Sequence, residues 1–278
     1  MLTDTHCHLN MCIKKEFDVL LPPCFQEMVE PFIQEAQKKS VTTIINVGTS
    51  VIESKNCIAL AHAFPGTLYA TIGTHPNDGD KESWQHDVAT YRELLQHDRQ
   101  DTEKKEKIIV GVGEIGLDFY REGYDKELQY ALFKEQIEIA LEYSLPIIVH
   151  TRHAHDEVLK VIAEYKQHNL RGIIHCFSEE QTFAQHAIDL GFLLGIGGTI
   201  TYPKNEYLRE VVRTVGLDAI VLETDAPFLP PQEIRGKQNT PAQTATVAQT
   251  IATLLGCSLE KVAKTTTGNA FKLFDIKK

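Results

Sequence analysis

Residues Thr3 to Asn10 read TDTHCHLN, which sets two imidazoles, His6 and His8, one residue apart behind an apolar, β-branched start. Side chains two apart on a strand share a face, so both rings can serve one point in space. Imidazole nitrogens bind divalent cations, above all where carboxylate oxygens complete the set. Residues of this kind recur at the ends of apolar runs: His75 in GTHP, Glu114 and Asp118 in GEIGLD, His150 closing LPIIVH, His175 in RGIIHCF, and Glu223 with Asp225 in DAIVLETD. Any one of them alone reads as a hydrogen-bonded cap or core residue. Five of the 12 histidines and four carboxylates brought to one place would be costly to desolvate without a cation. The set is too large for one tetrahedral ion and suits two ions that share a bridging carboxylate.

The elements that must position these residues are legible as alternation. Eight short apolar runs, at Leu2–Cys7, Val41–Gly48, Thr67–Gly73, Lys107–Gly113, Leu145–His150, Arg171–Phe177, Gly191–Gly197 and Asp218–Asp225, suit parallel strands covered on both faces. Between them lie helix-length amphipathic stretches: Phe25–Lys39, Ile52–Phe64, Asp125–Tyr143, His155–Gln167, Glu179–Leu190 and Asn205–Val215, with Ala242–Leu255 and Leu259–Phe274 after the last strand. Asn77–Glu106 is long, charged and weakly patterned, and reads as a surface helical excursion. The alternation predicts one α/β domain over residues 1–278, a (β/α)8 TIM barrel, with a doubly wound open sheet as the alternative. In a barrel the chemistry sits at the C-terminal ends of the strands, where every residue named above falls.

Composition narrows the partners. A net charge of −10 disfavours tight non-specific binding along duplex DNA, so an anionic substrate needs cations supplied locally. The six cysteines form no C-x-x-C pair and read as free thiols. No segment has the apolar length of a membrane span, and the Met-Leu-Thr-Asp opening lacks the makeup of a signal peptide, so a cytoplasmic protein is expected. His62, His86, His97, His168 and His186 read as solvated, as does the charge run Asp101–Lys107, while His153 and His155 lie close enough to the fifth strand to approach the mouth. GVGEIG does not match the dinucleotide-binding spacing, and its central carboxylate would repel a pyrophosphate.

DTHCHL, GTHP, GEIGLDFYR, LPIIVHTR, IIHCFS, ETDAPFL, RGKQNTP and TTTGNAFKLF, in that order, closely resemble the TatD family of metal-dependent deoxyribonucleases, in the amidohydrolase-like superfamily of TIM barrels. The resemblance implies two divalent metal ions (Mg²⁺, Mn²⁺ or Zn²⁺), one held by His6, His8 and Asp225 and the other by His150 and His175, with Glu114 bridging. Two departures stand out. The family's usual HCFSG has Glu179 in the last place, and its usual R-N-E-P is here Gln238-Asn239-Thr240-Pro241. Many related amidohydrolases bridge their metals with a carbamylated lysine; Glu114 in that place points toward the phosphodiesterase branch.

The resulting expectation is a phosphodiesterase acting on DNA, at ends or single strands, with no membrane and no obligate protein partner. Asp225 is the candidate general base, Glu114 the bridge, and His75 a contact to the scissile phosphate or the leaving group. Arg121, Arg152, Arg235 and Lys237 are candidate phosphate anchors. The alternative is an ester or amide hydrolase such as a D-aminoacyl-tRNA deacylase using the same water activation; a non-catalytic scaffold would have no use for so many costly polar residues.

Overall fold

The structure, a computed structural model, describes residues 1–14, 16–100 and 107–277. Eight parallel strands pair in chain order: β1 (Leu2–Cys7), β2 (Val41–Asn46), β3 (Leu68–Ile72), β4 (Ile109–Asp118), β5 (Ile147–Arg152), β6 (Gly172–Ile174), β7 (Phe192–Ile196) and β8 (Ile220–Leu222). The ring closes at a seam where Cys7 bridges to Ala226 and the Asp225 N–H donates to the His6 carbonyl at 2.8 Å. This is the TIM barrel, and the open-sheet alternative falls.

Among the described residues ten helices surround it: α1 (Leu9–Ile13), α2 (Phe25–Lys38), α3 (Val51–Ala63), α4 (Trp84–Gln100), α5 (Lys126–Glu142), α6 (His155–Glu164), α7 (Gln181–Asp189), α8 (Glu206–Val215), α9 (Thr244–Leu255) and α10 (Leu259–Phe274). The short α1 carries no apolar periodicity to betray it. The stretch that reads as a surface excursion contains α4, which is more than that. Val88, Tyr91 and Leu95 recur at helical spacing and are buried, and the Tyr91 hydroxyl meets Thr74 Oγ1 at 2.8 Å just beyond β3. Three apolar residues suffice to dock it, too few to stand out from its charge. Most of the run from Asp101 lies outside the described residues; Lys107 is exposed.

The core has two layers. The larger fills the space between sheet and helices. The smaller is the barrel interior, where Ile45, Tyr69, Val110, Ile148, Ile173 and Val221 meet Leu273 and Phe274 of α10, which stoppers the N-terminal end. With that end packed apolar, the polar residues are left at the other. Cys7 and Cys57 are core filler, and all six cysteines are free. Among the described residues no helix is long and apolar enough to cross a membrane.

Candidate metal centre

Glu114 lies at the centre of the mouth, buried at 4% exposure midway along the ten-residue β4. Its two oxygens face different imidazoles. Oε2 lies 3.3 Å from His6 Nε2 and 3.7 Å from His8 Nε2. Oε1 lies 2.8 Å from His150 Nδ1, 3.4 Å from His175 Nε2 and 3.7 Å from His75 Nε2. Asp225 closes the first side, 3.4 Å from His8 Nε2 and 3.7 Å from His6 Nε2. The barrel thus gathers His6, His8, His75, Glu114, His150, His175 and Asp225 from β1, β4 and β5 and from the turns that follow β1, β3, β6 and β8.

Hydrogen bonds from behind aim several of the rings. His8 Nδ1 is 3.0 Å from the Val47 carbonyl, which only accepts, so Nδ1 carries a proton and Nε2 is turned toward Asp225. His150 Nε2 is 3.3 Å from Asp118 Oδ2, leaving Nδ1 for the Glu114 side. Asp118 is itself held by the Asn77 amide at 2.7 Å. His75 is different. Its Nδ1 accepts the Asn77 backbone N–H at 3.2 Å, so Nε2 carries the ring's proton. His75, Glu114 and His150 do offer donor atoms within 4.8 Å of one another, but a protonated Nε2 makes His75 a hydrogen-bond donor and a poor ligand.

Two further clusters converge within 4.8 Å: His6, His8 and Asp225, and His6, His175 and Glu223. Sequence alternation predicts Glu223 and Asp225 on one face, and the structure corrects this. β8 ends at Leu222 and Asp225 has a φ of +56°, so strand geometry does not extend over the pair. Asp225 faces His8, whereas Glu223 turns behind His175, its Oε1 3.3 Å from His175 Nδ1 and accepting the Cys176 N–H at 2.6 Å. Gly195 makes the room, since a Cβ there would lie 2.2 Å from Glu223 Oε2. Gly116, at φ +145°, likewise lets β4 pass β5, where a Cβ would meet the His150 carbonyl oxygen at 2.0 Å.

Asp4 supports the centre from behind, and sequence reasoning misses it. Fully buried, it accepts from the His6 N–H at 3.2 Å and from Thr224 Oγ1 at 2.6 Å, tying the seam between the ligand-bearing ends of β1 and β8. Burial pushes its carboxyl up to about 8, against the hydrogen bond from Thr224. Its place inside the DTHCHL motif is the available signal.

The electrostatics fit a cation. Burial opposes the charge of Glu114, but the neighbouring His175 and the hydrogen bonds of His150 and His6 hold it well below the usual carboxylate range. Burial also pulls His175 down, yet Glu114 and Glu223 outweigh it and push that imidazole up to about 10. Meanwhile His6 Nδ1, His175 Nδ1 and Glu223 Oε2 are buried with no aligned hydrogen-bond partner. Orphaned donors and acceptors clustered beside ionised carboxylates are the mark of a site built for an ion.

The four candidate phosphate anchors lie outside this cluster. Arg121, Arg235 and Lys237 are exposed on mouth loops and Arg152 is exposed at the end of β5, and among the described residues none pairs with a centre carboxylate. Arg152 stacks over Tyr120 with its guanidinium 3.6 Å from the ring centre, and Arg235 lies 4.8 Å from that of Tyr202. Glu179 is paired with His155 at 2.9 Å, and Gln238 donates to the Cys12 carbonyl at 3.0 Å. His62, His86, His97, His168 and His186 are all exposed.

Barrels that gather imidazoles and carboxylates at this end form a broad class of metal-dependent hydrolases. Within it the chain belongs to the TatD family: the model described as TatD related DNase matches residues 3–275. The Bacillus subtilis metal-dependent hydrolase YabD, itself uncharacterized, is 33% identical over 276 residues, 99% of this chain and 100% of its own. The crystal structure of the TatD homologue YjjV from Escherichia coli superposes with a TM-score of 0.84 at 29% identity, covering 99% of this chain and 98% of that one. A protein from Erwinia tasmaniensis named 3'-5' ssDNA/RNA exonuclease TatD is 30% identical over 249 residues, 88% of this chain and 92% of its own.

Proposed function

We propose that the chain is a single-domain, cytoplasmic, divalent-metal-dependent phosphodiesterase that shortens DNA from an end. The observation that carries this reading is Glu114, whose two oxygens face two separate imidazole groups, as a carboxylate bridging paired ions must. The name of the Erwinia relative supplies the substrate class.

His6, His8 and Asp225 would hold one ion, His150 and His175 the other, and Glu114 would bridge them. Bound there, two such ions supply an activated water and neutralise charge on the phosphoryl oxygens and the leaving alkoxide. Asp225 has its carboxyl below the usual range, since burial is outweighed by the imidazoles packed against it, so it is ionised at neutral pH and takes the proton of the attacking water. His75 is driven down to about 3 by burial and the neighbouring His150, so it is neutral at pH 7. It acts by donating Nε2–H to a phosphoryl oxygen, which assigns it to the scissile phosphate and not to protonating the leaving group. Asp118 and Glu223 keep His150 and His175 aimed. The four exposed cations serve phosphates further along the strand, beyond the scissile one.

The test gives Mg²⁺- or Mn²⁺-replete protein end-labelled single-stranded DNA, blunt duplex and a D-aminoacyl-tRNA, with EDTA and Glu114→Ala as controls. Stepwise shortening of DNA that disappears in both controls is the expected result. Release of the amino acid with the polynucleotide left whole would replace this reading with the deacylase.

A further inference from the structure

Large apolar side chains that remain exposed are concentrated at the mouth. Phe17 and Leu20 follow β1, Tyr120 and Tyr124 follow β4, and Phe228 and Leu229 follow β8. Among the described residues, Met1 and Leu259 lie at the opposite end, Val19 lies on the loop after β1, and Met28 and Tyr207 lie on the first turns of α2 and α8. Scattered apolar exposure needs no explanation, but a collection around a polar centre does.

Two of these aromatics are held in place and not merely left over. Phe228 is 44% exposed, yet its N–H donates to the Asp225 carbonyl at 2.8 Å and its carbonyl accepts the buried Asn239 amide at 2.7 Å. Its ring centre is 6.1 Å from that of His8. Tyr120 is 53% exposed, its N–H bound to Asp118 Oδ1 at 2.9 Å and its ring beneath the Arg152 guanidinium. Asp118 also holds His150, so the backbone of Tyr120 and a metal-centre imidazole share one anchor. Phe228 thus stands beside His8 after β8, and Tyr120 follows β4 across the barrel, its ring meeting the Arg152 guanidinium and the edge-on ring of His153 at 5.0 Å. Apolar faces fixed this way beside a phosphodiester site match nucleobases, which stack on any aromatic plane without regard to sequence.

We infer that Phe228 and Tyr120 are specificity-determining residues that stack unpaired bases on either side of the metal centre. The inference rests on the phosphodiesterase reading and deepens it. Recognition then comes from base faces close to the centre, the base on Tyr120 taking the ring face opposite the Arg152 guanidinium, which is left to meet a phosphate. An abasic residue would lose this contact while keeping every phosphate, and a base held in a duplex could not reach it.

The test combines Phe228→Ala and Tyr120→Ala with oligonucleotides carrying a single abasic residue at each of the three terminal positions. Each substitution is expected to raise KM for the intact strand about tenfold, from the loss of one stacked base. For each variant, one abasic position should raise KM by a similar factor in the unsubstituted protein and by nothing further in the variant, because both remove the same contact. Phe228→Trp and Tyr120→Phe should restore KM. A terminal 2-aminopurine, whose fluorescence falls on stacking, should be quenched by the unsubstituted protein and not by the alanine variants. Losses that multiply at every abasic position, or fall on kcat with no rescue by the aromatic substitutions, overturn the inference while leaving metal-dependent DNA cleavage intact. Failure of the parent reading looks different: no DNA is cleaved by any form, and no quenching is seen.

Discussion

The two ends of the barrel are built from the same eight strands and solve opposite problems. At the N-terminal end the interior is closed by Leu273 and Phe274 of α10, packed on Tyr69, Val110 and Val221 with their apolar area removed from water. At the C-terminal end the same interior gives way to Glu114, His6 and His175, all buried, with His6 Nδ1, His175 Nδ1 and Glu223 Oε2 lacking aligned partners. One end is closed by apolar packing. The other gathers donors suited to a cation, so the two ends should respond to different perturbations.

Glu114→Ala should break the mouth and spare the floor. Losing an outer partner of a metal ligand costs about 10–100-fold, so losing the bridge itself should lower kcat/KM by at least about 1000-fold, with the circular dichroism spectrum unchanged. EDTA should do the same to the unsubstituted protein and be reversed by added metal. Phe274→Ala is the converse. It removes a fully packed ring and should cost about 3–5 kcal/mol in denaturant-induced unfolding, while metal stoichiometry and kcat at saturating metal hold below the new melting point.

Glu223→Gln should sharpen the contrast, because it touches the centre only through His175. Metal affinity by calorimetry is expected to fall about 10–100-fold, with turnover recovering as metal is raised. If affinity stays unchanged, Glu223 does not orient that ring.

The smallest effect concerns the loop after β1. Glu53 is buried and bound by Lys14, Asn10 and Asn56. Burial would raise its pKa, but the bonds from Lys14 and Asn56 outweigh that and depress it below 4.5. A depressed carboxyl pKa means the unfolded chain takes up the proton first. The stability Glu53 contributes is therefore full above about pH 4.5 and is lost as pH falls through its folded value. Unfolding midpoints measured from pH 6 downward should drop less steeply for Glu53→Gln than for the unsubstituted protein.

Much of this architecture is legible in the order of residues alone. The eight apolar runs report the strands, α10 reads at its observed limits, and the imidazoles and carboxylates at the run ends report where the centre forms. α4 is readable only as helical, since its few buried residues sit among many charges. The residues that support the centre are harder still. Asp118 and Glu223 stand in view at strand ends, but whether a carboxylate faces an ion or the back of a histidine depends on a side chain from another strand.

The sequence by itself determined the periodicity, and with it the parallel strands, the helical cover and the donor types available, because these depend on near neighbours along the chain. Tertiary structure alone decided that β8 stops before Glu223 and Asp225, that Asp4 ties the seam, and that the arginines stay outside the cluster while aromatics stand beside it. Those outcomes are set by ring closure and by contacts between residues more than 200 apart in the chain, as at the Asp4–Thr224 seam, which no local pattern encodes.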